Sequence, residues 1–477
     1  MERSGVSFET EDARLQALYD AAERLCKGNL QDFGGLRVLV EGGGYLKLWL
    51  ETQPMGGEMY LKRDLTVGRN NIEVFLRCQR ADGRLPGSIR WAEGKLIPEY
   101  NKIQGFCFPK PALALYYRLG RDRTWLKELE SCLEAFDDYL WRVRDSDGDG
   151  LLESWCVYDT GEDNALRYGK APNYWLTDDA PKDEDTVPMA SMDFISYSYA
   201  CRDTLAKISA ELGNGKEAYW RERADSVARG LRRGLWDEAK AACYDRDKTG
   251  RTIPILTHNN LRCMYWGSFT PDMAAAFVEQ HLTDQREFWT ELPLPSVAAN
   301  DPAFRNAPDN NWSGQVEGLP YQRAIDALEN YGYEKLVTKL GKRLLRAIYE
   351  SGLSFTQQYD PFTGRASLVG QMSHAPIPAG STEEAQNGYG PTVLSALEYI
   401  AHIWGVQPTM GQIWFSFGSA EKPYRYVQRD GGSEYAVESD GKRAAAFVNG
   451  KEVWQGGCGV RLITDEAGLL LGIREIE

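Results

Sequence analysis

At 477 residues, with a net charge of −14 and an isoelectric point near 5.1, the chain has the wrong sign of charge to hold nucleic acid or an anionic membrane surface. Its 43% hydrophobic content supports a sizeable core, while no stretch reaches the roughly 18 apolar residues of a membrane span. The nine cysteines stand singly and in no CxxC pair, and the start of the chain shows no apolar signal segment, which together point to a reducing, cytoplasmic setting.

Helical spacing dominates up to about residue 405. Helices are expected over 12–27 and 58–80, the second entered through Gln53-Pro-Met-Gly-Gly-Glu58, a segment that suits either a plain helix entry or a cleft wall. Over 122–141, Trp125, Leu126, Leu129, Cys132, Leu133, Phe136, Tyr139 and Leu140 recur at intervals of three and four, which makes one apolar stripe. Further helices are expected over 189–212, 215–235, 271–281 and 318–331. Stripes over 334–350 and 391–404 close the helical part. The connections 81–109, 144–187, 292–317 and 352–390 are long and rich in Gly, Pro, Asn and Asp, and such lengths are uncommon unless they carry function. Paired helices with functional loops on one face describe an α/α toroid.

After Gln407-Pro408 the pattern changes to short β-type runs, such as Ile413–Phe417 and Tyr424–Val427, separated by Gly-rich and Asn-Gly turns. The expected organisation is a mainly α protein with a helical domain over 1–408. A small antiparallel, sandwich-like β domain over 409–477 is expected to cover one side of it, a separate carbohydrate-binding role being the alternative.

The distinctive motifs fall in the long connections. Thr160-Gly-Glu-Asp-Asn-Ala-Leu-Arg167 places an acid, an amide and a guanidinium side by side. A carboxylic acid among fixed donors can protonate a glycosidic oxygen while the donors hold sugar hydroxyls. The 12% aromatic content suits walls that pack on the C–H faces of sugars, and equally an ordinary large core. A second motif runs from Asn310 to Tyr321, and a third from Phe355 to Arg365, followed by Gly388-Tyr-Gly-Pro391.

Other features have plainer readings. Asp145-Ser-Asp-Gly-Asp-Gly150 matches the first half of a calcium loop, but its twelfth position is Cys156, so an Asp-Gly turn is expected and no metal. The acidic run Asp178–Asp185 reads as a solvated loop. His258, His281, His374 and His402 form no zinc pattern; His402 is expected to be structural, and His374 lies in a cleft loop. No phosphate-cradling Gly-rich turn follows a strand, so no nucleotide cofactor is expected.

Taken together and in order, the three motifs resemble those of the trehalase and processing α-glucosidase I clan of glycoside hydrolases, including its bacterial mannosylglycerate- and glucosylglycerate-hydrolase-like members. The family patterns are roughly G-x-D-N-S-x-R, then N-x-W-x-G-P-V-W before a helix ending R-Y-G-Y (here Asn330-Tyr-Gly-Tyr333), then E-Q-Y-D-P-x-T-G. The resemblance spans about residues 40–405. It implies an (α/α)6 barrel and inverting hydrolysis of an α-linked small glycoside, without a cofactor.

By position, Asp163 matches the general acid, and Asn164 and Arg167 its sugar-binding companions. Trp312 matches a pocket aromatic, and Gln315, Gln358, Tyr359 and His374 are further expected substrate contacts. Two positions depart from the pattern: Gln357 stands where the catalytic glutamate opens E-Q-Y-D, and Glu317 stands where a tryptophan closes the second motif. An amide has no useful basicity, which leaves several readings. Glu317 acts as the base; Gln357 replaces a glutamate so as to trap substrate; phosphate attacks instead, held in part by Ser373-His374, making the protein a phosphorylase; Glu383 or Glu384 is the base; or the chain only binds sugar.

Overall fold

The computed structural model describes residues 4–308, 312–368 and 387–477. Helix α1 (Ala13–Gly28) starts where Asp12 accepts the backbone N–H groups of Arg14 and Leu15, the usual way an Asp satisfies the first turn. The single helix expected over 58–80 is two, α2 (Gln53–Tyr60) and α3 (Leu65–Arg77). The break falls at 61–64 because Asp64 caps a new helix through the N–H groups of Thr66 and Val67.

There follow α4 (Pro109–Arg118), α5 (Arg123–Val143), α6 (Met192–Leu212), α7 (Glu217–Leu235), α8 (Asn259–Trp266) and α9 (Pro271–Phe277). Then come α10 (Gly318–Glu329), α11 (Glu334–Glu350) and α12 (Gly390–Trp404). Neither α4 nor α8 is expected from the sequence.

Six of these helices touch one another in closed order: α2 meets α4, α4 meets α6, α6 meets α8, α8 meets α10, α10 meets α12, and α12 returns to α2. Of the others, α3 packs against α2 and α4, α5 against α4 and α6, α7 against α6, α9 against the strand Ala242–Cys243, and α11 and α1 against α12. Burial follows from that placement. Every residue of α8 and α12 is buried, whereas α5, α7 and α11 each bury one stripe and give the other face to water.

Two antiparallel sheets make up the β part. One runs in the order 5–10, 424–430, 433–439, 443–448, 451–457, and the other in the order 406–409, 412–417, 460–465, 470–475. Strands Gly5–Thr10 and Val406–Thr409 thus join sheets formed otherwise by residues beyond 409.

The β part meets α2, α10 and α12 at their C-terminal ends and α11 at its first turn, where Arg474 pairs with Glu334. Arg461 donates to Glu329 at the end of α10 and to the carbonyl of His402 in the last turn of α12. Lys62, just past α2, reaches Gln407 (2.7 Å) and pairs with Glu398. His402 bonds to Glu329 within this junction at 2.9 Å, so it is structural. The motif loops instead lead into the N-terminal ends of the ring helices, at the opposite end of the molecule. Among the described residues no helix is long and apolar enough to cross a membrane.

Candidate active site

The first motif is held from beneath. Buried Asp159 accepts hydrogen bonds from Arg144 (2.6 Å), the N–H of Trp155 (2.8 Å) and the N–H of Ile103 (2.9 Å), which anchors the turn before the motif. Gly161 has φ +73°, and a side chain there would meet the Glu51 carboxylate at 2.2 Å, so only glycine fits. The next residues alternate. Glu162 points inward, Asp163 is half-buried, and Asn164 is exposed in the left-handed region (φ +57°), which asparagine tolerates.

Arg167, expected beside the sugar, is turned inward instead. Its guanidinium lies in the interior, paired with Glu162, Asp245 and, at 2.9 Å, Asp193 in the first turn of α6. Arg262 of α8 joins the same carboxylates, at 3.3 Å from Asp193, and Asn259 donates to Asp193 and Glu162. Burial pushes Glu162 up, but Arg167 and Arg262 draw it well below the usual carboxylate range. His258, 3.4 Å from Glu162, is lowered to about 4 by burial, so the ring is neutral near pH 7.

The second and third motifs meet as a strand pair, Val316–Glu317 against Gln358–Tyr359, with Glu317 opposite Gln358. Gln358 donates to Glu317 (3.2 Å), and the Gly318 N–H donates to the carbonyl of Gln357 (2.9 Å). The pair also ties to the first motif. The Trp312 N–H donates to the carbonyl of Asp163 (3.0 Å), and the Leu166 N–H to the Ser313 hydroxyl (2.7 Å).

Three more expected sugar contacts are turned to structural use here. Gln315 donates to Asn306 (2.6 Å) and accepts from Ser367, Gln358 serves Glu317, and the Tyr359 hydroxyl donates to the carbonyl of Ser354. Trp312 is buried, edge-on to His258 at 5.6 Å, with Arg262 over its ring. The physical reason is common to all of them: a polar or aromatic side chain carried inward by a strand or an inner helix must find its partners in the protein. Asn310, Ser373, His374, Glu383 and Glu384 lie outside the described residues.

Tyr45, Glu41 and Glu51, absent from the sequence reading, lie about the strand pair together with Tyr389 of the Gly388–Pro391 run. Tyr45 donates its hydroxyl to the side-chain oxygen of Gln357 (3.2 Å). Burial, then the charges of Glu41, Asp163 and Glu317, hold that hydroxyl above its usual range. The charges of Asp163 and Glu317 thus both reach the hydroxyl that Gln357 accepts. The Tyr45 ring meets Tyr389 edge-on at 6.3 Å.

Glu41, before the run Gly42-Gly-Gly44, is pushed well above the usual range by burial, Glu51 and Asp163, and Tyr389 hydrogen bonding works against the shift. Glu51 is raised to about 7 by burial, while Arg323 (3.1 Å) and Arg262 pull it back. Tyr158 and Tyr174, 4.9 Å apart edge-on, both lie within reach of the Asp163 charge and supply aromatic surface beside it. In the sequence this group shows as a triple glycine between an acid and a tyrosine, and as the tyrosine of Gly388-Tyr-Gly-Pro391.

The three aspartates of the Asp145–Gly150 loop bring their oxygens within 4.8 Å of one another, and they accept N–H groups of their own turn at Asp149, Gly150 and Leu151. They lie apart from the groups around Tyr45.

The chain and its fold have known relatives. A curated mannosylglycerate hydrolase of Rubrobacter radiotolerans is 22% identical over 286 residues, 51% of this chain, and the match spans 64% of that relative's length. The fold is that of the GH63 mannosylglycerate hydrolase of Thermus thermophilus solved with glucose: TM-score 0.62, 17% identity, 80% of this chain and 99% of that one. Neutral trehalase Nth1 of Saccharomyces cerevisiae also shares it, with a TM-score of 0.57, 15% identity and 80% coverage of each chain. The family described as the mannosylglycerate hydrolase MGH1-like glycoside hydrolase domain matches residues 60–382, which takes in all three motifs and most of the helical ring. On that match, with the motifs gathered at one end of the ring, the chain belongs to the MGH1-like glycoside hydrolase family.

Proposed function

We propose that the chain hydrolyses an α-linked small glycoside with inversion, with Asp163 as the general acid and Glu317 as the base that replaces the amide at Gln357. The observation that carries this reading is the joining of the motifs. The Tyr45 hydroxyl bonds to Gln357, Gln358 bonds to Glu317, and the Trp312 N–H bonds to the Asp163 carbonyl, so the loop of the acid and the loop of a second carboxylate are tied together. Inversion needs such a pair, about 6.5–9.5 Å apart, with water between the base and the sugar. Asp163 protonates the departing oxygen, and Glu317 takes a proton from the attacking water.

Mannosylglycerate, for which the curated relative is named, is the first substrate to try. The closed order of six helices within an outer set is read as an (α/α)6 barrel over 1–408, with the β unit of 409–477 closing its far end. Nine cysteines without a disulfide fit a cytoplasmic enzyme.

The test is turnover of mannosylglycerate and related α-glucosides and α-mannosides, with the first-formed anomer detected by proton NMR. The β-anomer of the free sugar is expected. Glu317→Gln is expected to lower kcat by about 100-fold or more, and Gln357→Glu to give no gain. A faster Gln357→Glu enzyme together with an undiminished Glu317→Gln enzyme would move the base back to position 357. A sugar phosphate formed only with added phosphate would replace hydrolysis by phosphorolysis. Sugar binding without turnover of any α-glycoside would leave a binding protein.

A further inference from the structure

At the end of the ring away from the motif loops, a cavity of about 200 Å³ lies between the C-terminal ends of α2, α4, α10 and α12 and the β part. Its charged wall is almost fully matched. Lys62 pairs with Glu398 and also reaches Gln407 at 2.7 Å. Lys110 pairs with Asp326 at 2.5 Å, Arg118 with Asp430 at 2.7 Å, and Arg474 with Glu334. Glu329 takes Arg461 at 2.5 Å and His402 at 2.9 Å.

Glu58, in the last turn of α2, is the exception. It lines the cavity, and among the described residues its carboxylate has neither a hydrogen bond nor a cation within ion-pair distance. Lys62, four residues on, is already taken by Glu398 and Gln407. Glu398 also lines the cavity, and its buried Oε1 accepts no hydrogen bond, with Arg63 standing 4.0 Å away. Burial pushes Glu58 above the usual carboxylate range; Lys110 and Lys62 oppose this, and Asp326 and Glu398 add to it. Between the charged groups, Met59, Ile325 and Met410 give the wall apolar surface.

We propose that this cavity binds one small primary alkylammonium ion, its nitrogen seated on Glu58 and its alkyl chain against Met59, Ile325 and Met410. The site lies apart from the motif loops and does not depend on the reading of the reaction.

The choice of ligand follows from the wall. Every lysine and arginine that lines the cavity has its own carboxylate, so an added anion would find no unmatched cation and would face Glu58. One unmatched carboxylate in a place poor in water is costly, and one positive charge offsets it. A bare metal ion would need about six oxygen ligands, whereas much of this wall is lysine, arginine and apolar side chain. An ammonium group brings its own N–H donors for the carboxylate, and a short alkyl chain covers the apolar part of the wall. The ligand would touch three helix ends and the strand Val406–Thr409, and so brace the junction of the ring with the β part.

The test is calorimetric titration of the full chain with n-butylammonium chloride, set against potassium chloride, n-butanol and sodium butyrate at equal ionic strength. One saturable site per chain is expected for butylammonium and none for the other three. The thermal midpoint should rise with butylammonium concentration alone. Glu58→Gln keeps the size of the side chain and removes the unmatched charge, and should weaken binding by about tenfold or more. Ala114→Leu, which fills the cavity and leaves Glu58 in place, should abolish it.

No saturable binding of butylammonium overturns the proposal. Equal binding of butanol would reduce the site to an apolar hole, and saturation by potassium would make it a metal site. Unchanged affinity in either variant would place the ligand elsewhere. Because the two substitutions alter different helices, misfolding of one leaves the other to decide.

Discussion

Asp163→Asn is expected to lower kcat/KM on a glycoside with an ordinary alcohol leaving group by about 100- to 10,000-fold, the usual contribution of a positioned acid. The carboxamide matches the carboxyl in size but has no proton acidic enough to give to the departing oxygen. The fold should not move. Asp163 is half-buried, and the bond that ties it to the second motif runs from the Trp312 N–H to its backbone carbonyl, which the substitution leaves alone. The same variant should lose little on an α-glycosyl fluoride, because fluoride departs without being protonated. A loss of equal size on both substrates would point to damaged binding rather than a missing acid. Undiminished turnover of the alcohol glycoside would remove Asp163 from the chemistry altogether.

How much of this was legible in the sequence depended on whether a residue's environment lies close to it along the chain. Helices α5, α11 and α12 were readable because their apolar residues repeat at three and four. Helix α4 was not: Pro109 and Pro111 open it, nearly every residue is buried, and no polar face marks it. Helix α8 is eight residues long and buried all round, too short to show a stripe. Strand Gly5–Thr10 has its partner at 424–430, more than 400 residues away, which no local pattern reveals. The site divides in the same way. The second and third motifs pair as strands, and the first is tied to them through the Trp312 N–H on the Asp163 carbonyl. Motif position did not say which side chains turn inward, and so Arg167, Gln315, Gln358 and Tyr359 were expected at the sugar and found in the framework. Glu41 and Tyr45 were missed, and Tyr389 was given no role, because their meaning comes from a clamp between residues 41–45 and 388–390, two segments at opposite ends of the helical part.

Arg167→Met should unfold more readily than the unsubstituted protein by about 3–5 kcal/mol, the usual cost of stripping one partner from a buried ion cluster. Methionine fills most of the volume, so the penalty comes from charge. Glu162, Asp193 and Asp245 stay buried with Arg262, Asn259, the Thr160 hydroxyl and the Met192 N–H as partners, and the nearby His258 is neutral at pH 7. The pH dependence identifies the cause. In the unsubstituted protein Glu162 is held well below the usual range, so its contribution to stability is present above the ordinary carboxylate pKa and fades as pH falls through the folded value. In the variant the stranded carboxylates are pushed above their unfolded values. They destabilise the fold near neutral pH and cease to do so once protonated. The deficit in thermal midpoint should therefore be largest near pH 7 and shrink toward about pH 5. If Arg167 instead held the substrate, the midpoint would stay put at both pH values and KM alone would rise. A guanidinium enclosed by three carboxylates predicts the first outcome, which would make the last residue of the first motif a keystone of the ring rather than a hand on the sugar.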